Sequence, residues 1–289
     1  MQPLFEHRLR LAGFATRALE LEGDGPPLLL LHGYADSADT WRRVLALLGR
    51  AGRRALAVDL PGFGAAAPLH DGPVLPQLDA FAAAAVRHVA AEAGAPAVVT
   101  GNSLGGCLAL RLAEQPELPL AGIVPVAPAG LDMPRWFGLI ERDPVVRSLF
   151  ALPVPLPEVV VRGLVGQAYR QLAFAQPRAM AAEVVTAFTA HHRDRRAVAR
   201  ILATGRRLLP ELTFPFRLER VGVPVLLVWG DRDRMVTHHG ARHVTRALPD
   251  AEYVLLEGCG HCPQVERAER LAELLAGFPA AAGAAGAAA

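Results

Sequence analysis

Lysine is missing from this sequence: all 30 basic residues are arginine. A Schiff-base lysine and a P-loop lysine are therefore excluded anywhere in the chain. Cysteine is scarce, with only Cys107, Cys259 and Cys262 among 289 residues. That is too few to staple a chain of this size, so a reduced, cytoplasmic setting is expected. Long apolar runs are also missing, since no stretch of about 18 uninterrupted apolar residues occurs. The Ala-rich segment 80–97 is broken by Arg87, His88 and Glu92, and no membrane span is expected. Excess charge is absent too: a net charge of +2 gives no basis for a nucleic-acid partner. The opening residues Met1 to Arg10 carry Glu6, His7, Arg8 and Arg10, where a signal peptide needs its apolar region, so export is not expected.

What is present is a large apolar fraction, 52%, enough for a buried core in one large α/β domain with an insertion or in two small domains. Much of it is alanine, which buries little area, so the positive mean hydropathy is no membrane signal. Short apolar runs alternate with longer helical patterns, as in a mostly parallel sheet flanked by helices. Residues 4–11 and 14–21 alternate apolar and polar around Gly13, as an edge hairpin does. Continuous runs follow at Leu28–Leu31, Ala55–Val58, Ala97–Asn102, Gly122–Ala127, Val223–Trp229 and Glu252–Leu256, giving eight expected strands, most of them covered on both faces. Helical patterns occupy about 37–50, 78–93, 104–115, 239–248 and 263–276.

One gap is different. About 95 residues separate Ala127 from Val223, far more than an ordinary crossover needs. The segment reads as helices near 134–150, 157–170, 177–192 and 194–209, with a proline-rich link at Pro153-Val154-Pro155-Leu156-Pro157. An insertion at the carboxyl ends of the strands lies over any site there, as a cap does. The Ala/Gly tail 280–289 is expected to be disordered.

Four strand ends carry chemistry. Val98-Val99-Thr100-Gly101-Asn102-Ser103-Leu104-Gly105-Gly106 is a strand running through G-x-S-x-G into a helix. The sharp turn lifts the serine hydroxyl above the sheet, and the glycines leave room where side chains collide with neighbouring segments. The Leu104 amide, at the helix start, faces the oxyanion that forms when Ser103 attacks a carbonyl. A second donor is needed opposite, and Tyr34, after Leu31-His32-Gly33, is placed to supply it; His32 is read as a structural pin. Val225–Trp229 ends in Gly230-Asp231-Arg232-Asp233, with two candidate carboxylates. Glu257-Gly258-Cys259-Gly260-His261-Cys262-Pro263 follows the last strand, and Pro263 is suited to open a helix. The base is His261. The order serine, acid, histidine is that of one hydrolase class. Cys259-Gly260-His261-Cys262 also matches C-x-x-C, but its place near the chain end, after the final strand, argues against a redox motif, and a zinc site here lacks a fourth ligand.

On these segments the chain resembles the α/β-hydrolase family with a helical cap. The family's W-G-x-x-D pattern falls on Trp229-Gly230-Asp231-Arg232-Asp233, so the resemblance assigns the acid to Asp233 and leaves Asp231 to the loop. Asp59-Leu60-Pro61-Gly62-Phe63-Gly64 is similar to the family's D-x-x-G-x-G turn. The resemblance covers about residues 4–278. It implies an α/β-hydrolase fold with an eight-stranded sheet, a core of residues 1–129 and 213–279, and a helical cap over 130–212.

The resulting expectation is a serine hydrolase of carboxylesterase type, a monomer or homodimer needing no metal and no organic cofactor, that cleaves an ester or similar acyl bond of a small, largely apolar substrate. Ser103, Asp233 and His261 form its triad, and the amides of Tyr34 and Leu104 its oxyanion hole. Trp136, Phe137, Leu139 and Phe150 in the cap are candidates for the substrate pocket. Two other readings stay open. One is hydrolysis of a carbon–carbon bond in a ring-fission diketone, suggested by Gly-Asn-Ser-Leu-Gly-Gly, although Cys262 stands where those enzymes carry tryptophan. The other is a non-catalytic ligand-binding protein on the same fold.

Overall fold

A computed structural model describes residues 3–132, 158–179, 182–190 and 195–278. Eight strands form one sheet: β1 (Leu4–Leu11), β2 (Phe14–Leu21), β3 (Asp24–Leu31), β4 (Arg53–Val58), β5 (Ala97–Asn102), β6 (Leu120–Val126), β7 (Leu226–Gly230) and β8 (Glu252–Leu256), in the spatial order β1-β2-β4-β3-β5-β6-β7-β8. β1 and β2 are the expected hairpin, paired from Leu4 with Leu21 to Leu11 with Phe14. Ala12 and Gly13 both have positive φ at its turn, which gives the twist a two-residue hairpin needs. β2 pairs antiparallel with β4, and every pairing from β4 to β8 is parallel.

The continuous apolar runs have a physical cause. Leu28, Leu29, Leu30 and Leu31 are all fully buried; Leu29 and Leu31 join one core, Leu28 and Leu30 the other. Full burial of each such side chain stabilises by roughly 1.5–3 kcal/mol. One face is covered by α2 (Leu75–Ala93) and α3 (Leu104–Ala113), the other by α1 (Arg42–Arg50) and the C-terminal helix Ala268–Gly277.

The long connection between β6 and β7 holds α4 (Glu158–Ala173), α5 (Ala182–Thr189) and α6 (Arg195–Glu211). These match three of the four helices expected there. The fourth, near 134–150, lies outside the described residues, as do the link 153–157 and the tail. After β7 come α7 (Ala241–Ala247), then α8 (Pro263–Glu266) and α9 (Ala268–Gly277). The sequence pattern makes the last two a single helix; the chain breaks it at Arg267, whose φ of −136° and ψ of 41° leave the helical region. Neighbours of β3 connect in opposite directions, to β4 on one side and β5 on the other. This switch point opens a crevice beyond the carboxyl ends of β3 and β5.

Candidate active site

Ser103 stands at that crevice. It follows β5, precedes α3 and adopts φ 55°, ψ −110°, a region that costs a non-glycine residue about 1–3 kcal/mol. Backbone bonds hold it there. Its N–H donates to the Val126 carbonyl at 2.9 Å, and its own carbonyl accepts from Cys107 at 2.9 Å and from Ala129 at 3.0 Å. Glycine is required on either side. A methyl on Gly101 overlaps the Gly105 backbone, and one on Gly105 overlaps the carbonyls of Leu31 and His32. The side chain of Ser103 stays partly accessible on a backbone with little freedom. Leu104 heads α3, where its amide has no intrahelical acceptor.

The arm after β3 passes beside this turn, since a methyl on Gly33 falls 3.4 Å from Ser103 Cβ. His32 is fully buried and spans two loops: Nε2 accepts from the Leu60 amide at 2.8 Å, and Nδ1 contacts the Gly33 carbonyl at 2.7 Å. A proton on Nδ1 satisfies both, so this imidazole pins the arm. Below it, Arg17 donates to Asp59 and Asp39, and Asp59 also accepts from the amides of Ala38 and Ala65 at 2.7 Å each. Burial pushes the Asp59 carboxyl up, but Arg17, His32 and the two amides outweigh it and hold it below its ordinary value. Tyr34 packs edge-on to Phe63, and its hydroxyl donates to the Ile201 carbonyl of α6. The expected oxyanion arm is thus anchored to sheet and insertion alike.

Asp233 and His261 come together across 28 residues of sequence. His261 Nδ1 lies 2.7 Å from Asp233 Oδ2, with both side chains almost fully buried. The rest of the carboxylate is committed as well: Oδ1 accepts from the amides of Met235 at 2.8 Å and Val236 at 2.9 Å, and Oδ2 also accepts from Trp229 Nε1 at 3.2 Å. Such an acid fixes the imidazole's tautomer and leaves Nε2 to exchange protons. Asp231 turns elsewhere, accepting the Cys259 amide at 3.2 Å. Among the described residues, no hydrogen bond joins the Ser103 hydroxyl to His261; their segments are tied through a neighbouring side chain. Asn102, next to Ser103, donates through Nδ2 to the His261 carbonyl at 2.8 Å, and Gln264 Nε2 donates to Asn102 Oδ1 at 3.2 Å.

Cys259 and Cys262 are free and buried, and burial pushes both thiols up, away from the reactive thiolate. Cys262 packs with Ala173 and Phe174 and lies 3.7 Å from the Tyr169 hydroxyl. Tyr169 stacks on Phe188 with ring centroids 3.6 Å apart. These aromatic residues of the insertion, with Met235, form an apolar wall beside His261 that the sequence pattern did not single out. Trp136, Phe137, Leu139 and Phe150 lie outside the described residues. Asn102, Trp229 and Gln264 were missed as supporting residues. The sequence signals for them are their places inside G-x-S-x-G, at the head of W-G-x-x-D and in the first turn after Pro263.

The family model described as the alpha/beta hydrolase family matches residues 28–274. The chain belongs to the alpha/beta hydrolase family. Within that family it is 30% identical over 266 residues to a pimeloyl-[acyl-carrier protein] methyl ester esterase from Xanthomonas campestris pv. campestris (strain 8004), covering 91% of this chain and 98% of that protein. Among solved structures, a membrane phospholipase A described as a bacterial virulence factor superposes with a TM-score of 0.71 at 27% identity, covering 94% of this chain and 84% of that one. The 2-hydroxy-6-oxo-6-phenylhexa-2,4-dienoate hydrolase from Rhodococcus sp. strain RHA1 gives a TM-score of 0.75 at 23% identity, covering 95% and 98%, a likeness of fold alone. No helix among the described residues is long and apolar enough to cross a membrane.

Proposed function

We propose that this protein is a cytoplasmic serine esterase with Ser103 as nucleophile, His261 as general base and Asp233 as the acid that orients it. Ser103 Oγ attacks the ester carbonyl as its proton passes to His261 Nε2, and the amides of Tyr34 and Leu104 receive the oxyanion. The carbon–oxygen bond breaks, and His261 returns the proton to the departing alcohol. Water then attacks the acyl-enzyme, losing a proton to His261, and the acid is released as Ser103 regains its own. Ser103, His261 and water account for every proton in the cycle. Residues 1–129 and 213–279 act as the catalytic core and 130–212 as its cap. The apolar wall of Tyr169, Phe174, Phe188 and Met235 favours a small, largely apolar acyl or alcohol group, with Trp136, Phe137, Leu139 and Phe150 as further candidates for the pocket.

The observation that carries this reading is the buried Asp233–His261 pair at 2.7 Å, tied through Asn102 to the strained turn that bears Ser103. The esterase named among its relatives supports an ester as substrate. The test is hydrolysis of p-nitrophenyl esters of graded chain length by the wild type and Ser103→Ala, with ring-fission diketones assayed beside them. Ester turnover abolished by the substitution is expected; turnover retained in Ser103→Ala overturns the nucleophile, and a preference for the diketones overturns the ester.

A further inference from the structure

Glu266 has no part in the cycle above, yet its carboxylate is spent on two distant segments of backbone. Oε1 accepts from the Gly260 amide at 2.8 Å, and Oε2 accepts from the Ala175 amide, just past the end of α4, at 2.8 Å. Between those two bonds, the His261 amide donates to the Ala173 carbonyl at 2.8 Å. Segments 173–175 and 260–261 are thus joined by three hydrogen bonds, two of them through one side chain. The contact is close-packed as well. A methyl on Gly260 falls 2.6 Å from the Ala173 oxygen and the Ala175 nitrogen and 2.7 Å from Glu266 Oε1, so only glycine fits. A carboxylate is suited to this place because both of its oxygens accept, whereas an amide offers one acceptor and two donors. Bonds from backbone amides to a charged acceptor are also stronger than neutral ones.

We propose that Glu266 is a positioning residue that seats the His261 loop on the end of α4, so that docking of the insertion and alignment of the base are one event. The proposal rests on His261 being the base. An insertion lifted from the sheet loses Ala175 from Glu266 and Ala173 from His261 together, and the imidazole drifts from Ser103. The enzyme is then competent only when covered, with the cover itself holding the base.

The test compares full-length wild type with Glu266→Gln, Glu266→Ala and Gly260→Ala, using p-nitrophenyl butyrate kinetics and amide hydrogen exchange of peptides covering 173–175 and 259–262. In all three variants kcat is expected to fall about 10- to 100-fold, the scale of a misaligned catalytic group, while KM stays within about threefold. Both peptides are expected to lose protection together, with β5 and α3 unchanged. Unchanged kcat overturns the proposal, and so does protection lost at 259–262 with 173–175 intact. Glu266→Gln is nearly isosteric and keeps the experiment decisive if an alanine variant fails to fold. His261→Ala is run in parallel. Activity surviving in it sinks the base assignment, whereas the joint exchange of the two segments reports on the seat independently of that assignment.

Discussion

Ser103 and His261 are mounted in opposite ways. Ser103 is fixed by what lies next to it: the strand before it, the helix after it, and backbone bonds to Val126, Ala129 and Cys107. His261 is fixed by residues from across the chain. Asp233 holds its ring, Asn102 its carbonyl, and Ala173 of the insertion its amide. A locally built mount is rigid however the insertion sits. A mount assembled from distant parts is only as well ordered as their docking, which makes His261 the adjustable half of the pair. The arm after β3 lies between these cases, held from the sheet by His32 and Asp59 and from the insertion by Tyr34.

The largest effects test whether the two mounts serve one reaction. Ser103→Ala is expected to lower kcat for p-nitrophenyl esters by about 10^5- to 10^6-fold, as loss of a serine nucleophile does. Stopped-assay product analysis at high enzyme concentration measures it. Next, Asp233→Asn leaves the pair's shape but gives the imidazole a partner that favours the wrong tautomer, and kcat is expected to drop about 10^4-fold. Asp231→Asn is the matched control, since that carboxylate serves the Cys259 amide, and it should retain activity within about tenfold, because the asparagine Oδ1 still accepts that amide. Equal losses in both variants break the assignment of Asp233.

The arm gives a third test, read in stability. Arg17 and Asp59 are a buried pair, 11% and 0% exposed. Removing one partner of such a pair costs about 3–5 kcal/mol, so Arg17→Met should shift urea unfolding by that amount at pH 7. Asp59 titrates below its ordinary 3.8 in the fold. The unfolded chain therefore takes up its proton first as pH falls, and the stability due to Asp59, present above about pH 4, is lost on acidification below it. In Arg17→Met burial has no guanidinium to oppose it, so that acid loss should shrink or reverse. A variant as acid-sensitive as the wild type shows that Arg17 does not hold the Asp59 charge.

The contrast between the two mounts also explains what the sequence reveals. Gly101-Asn102-Ser103-Leu104-Gly105 is legible because each glycine answers a collision with a residue a few positions away or on the adjoining strand. The sheet is legible because Leu28–Leu31 must be apolar on both faces. His261 is read from its place after β8, whereas the place after β7 offers both Asp231 and Asp233, and the family's W-G-x-x-D pattern picks the second. Glu266, by contrast, looks like an ordinary acid in the first turn of a helix, where the macrodipole alone accounts for it. Its second partner, Ala175, is 91 positions away and contributes only a backbone N–H, for which any residue but proline would serve. A hydrogen bond to the main chain leaves no mark on the identity of the residue that makes it. For the same reason the aromatic wall escaped notice, because Tyr169 and Phe188 are indistinguishable from helix core until the insertion is seen against Cys262.

Asn102 belongs to the serine's motif but works for the histidine, and so gives the finest test of the comparison. Its Nδ2 donates to the His261 carbonyl, and its Oδ1 accepts from Gln264; the residue is 2% exposed. Asn102→Ala leaves the backbone of the turn, and with it the mount of Ser103, intact. It strips the His261 carbonyl of its partner in a buried place, at a cost of about 1–3 kcal/mol. Part of that cost should appear as lost alignment, an approximately tenfold fall in kcat, with Tm reporting the remainder. The rate of labelling by a fluorophosphonate separates the halves of the site, since it needs Ser103 to be deprotonated by the base but not the return of a proton to a departing alcohol. If the two mounts are independent, labelling and turnover fall by the same factor. If Asn102 also holds the imidazole in the pose that protonates the leaving group, turnover falls further than labelling, and the side chain of the serine's own neighbour then sets the second half of the proton's path.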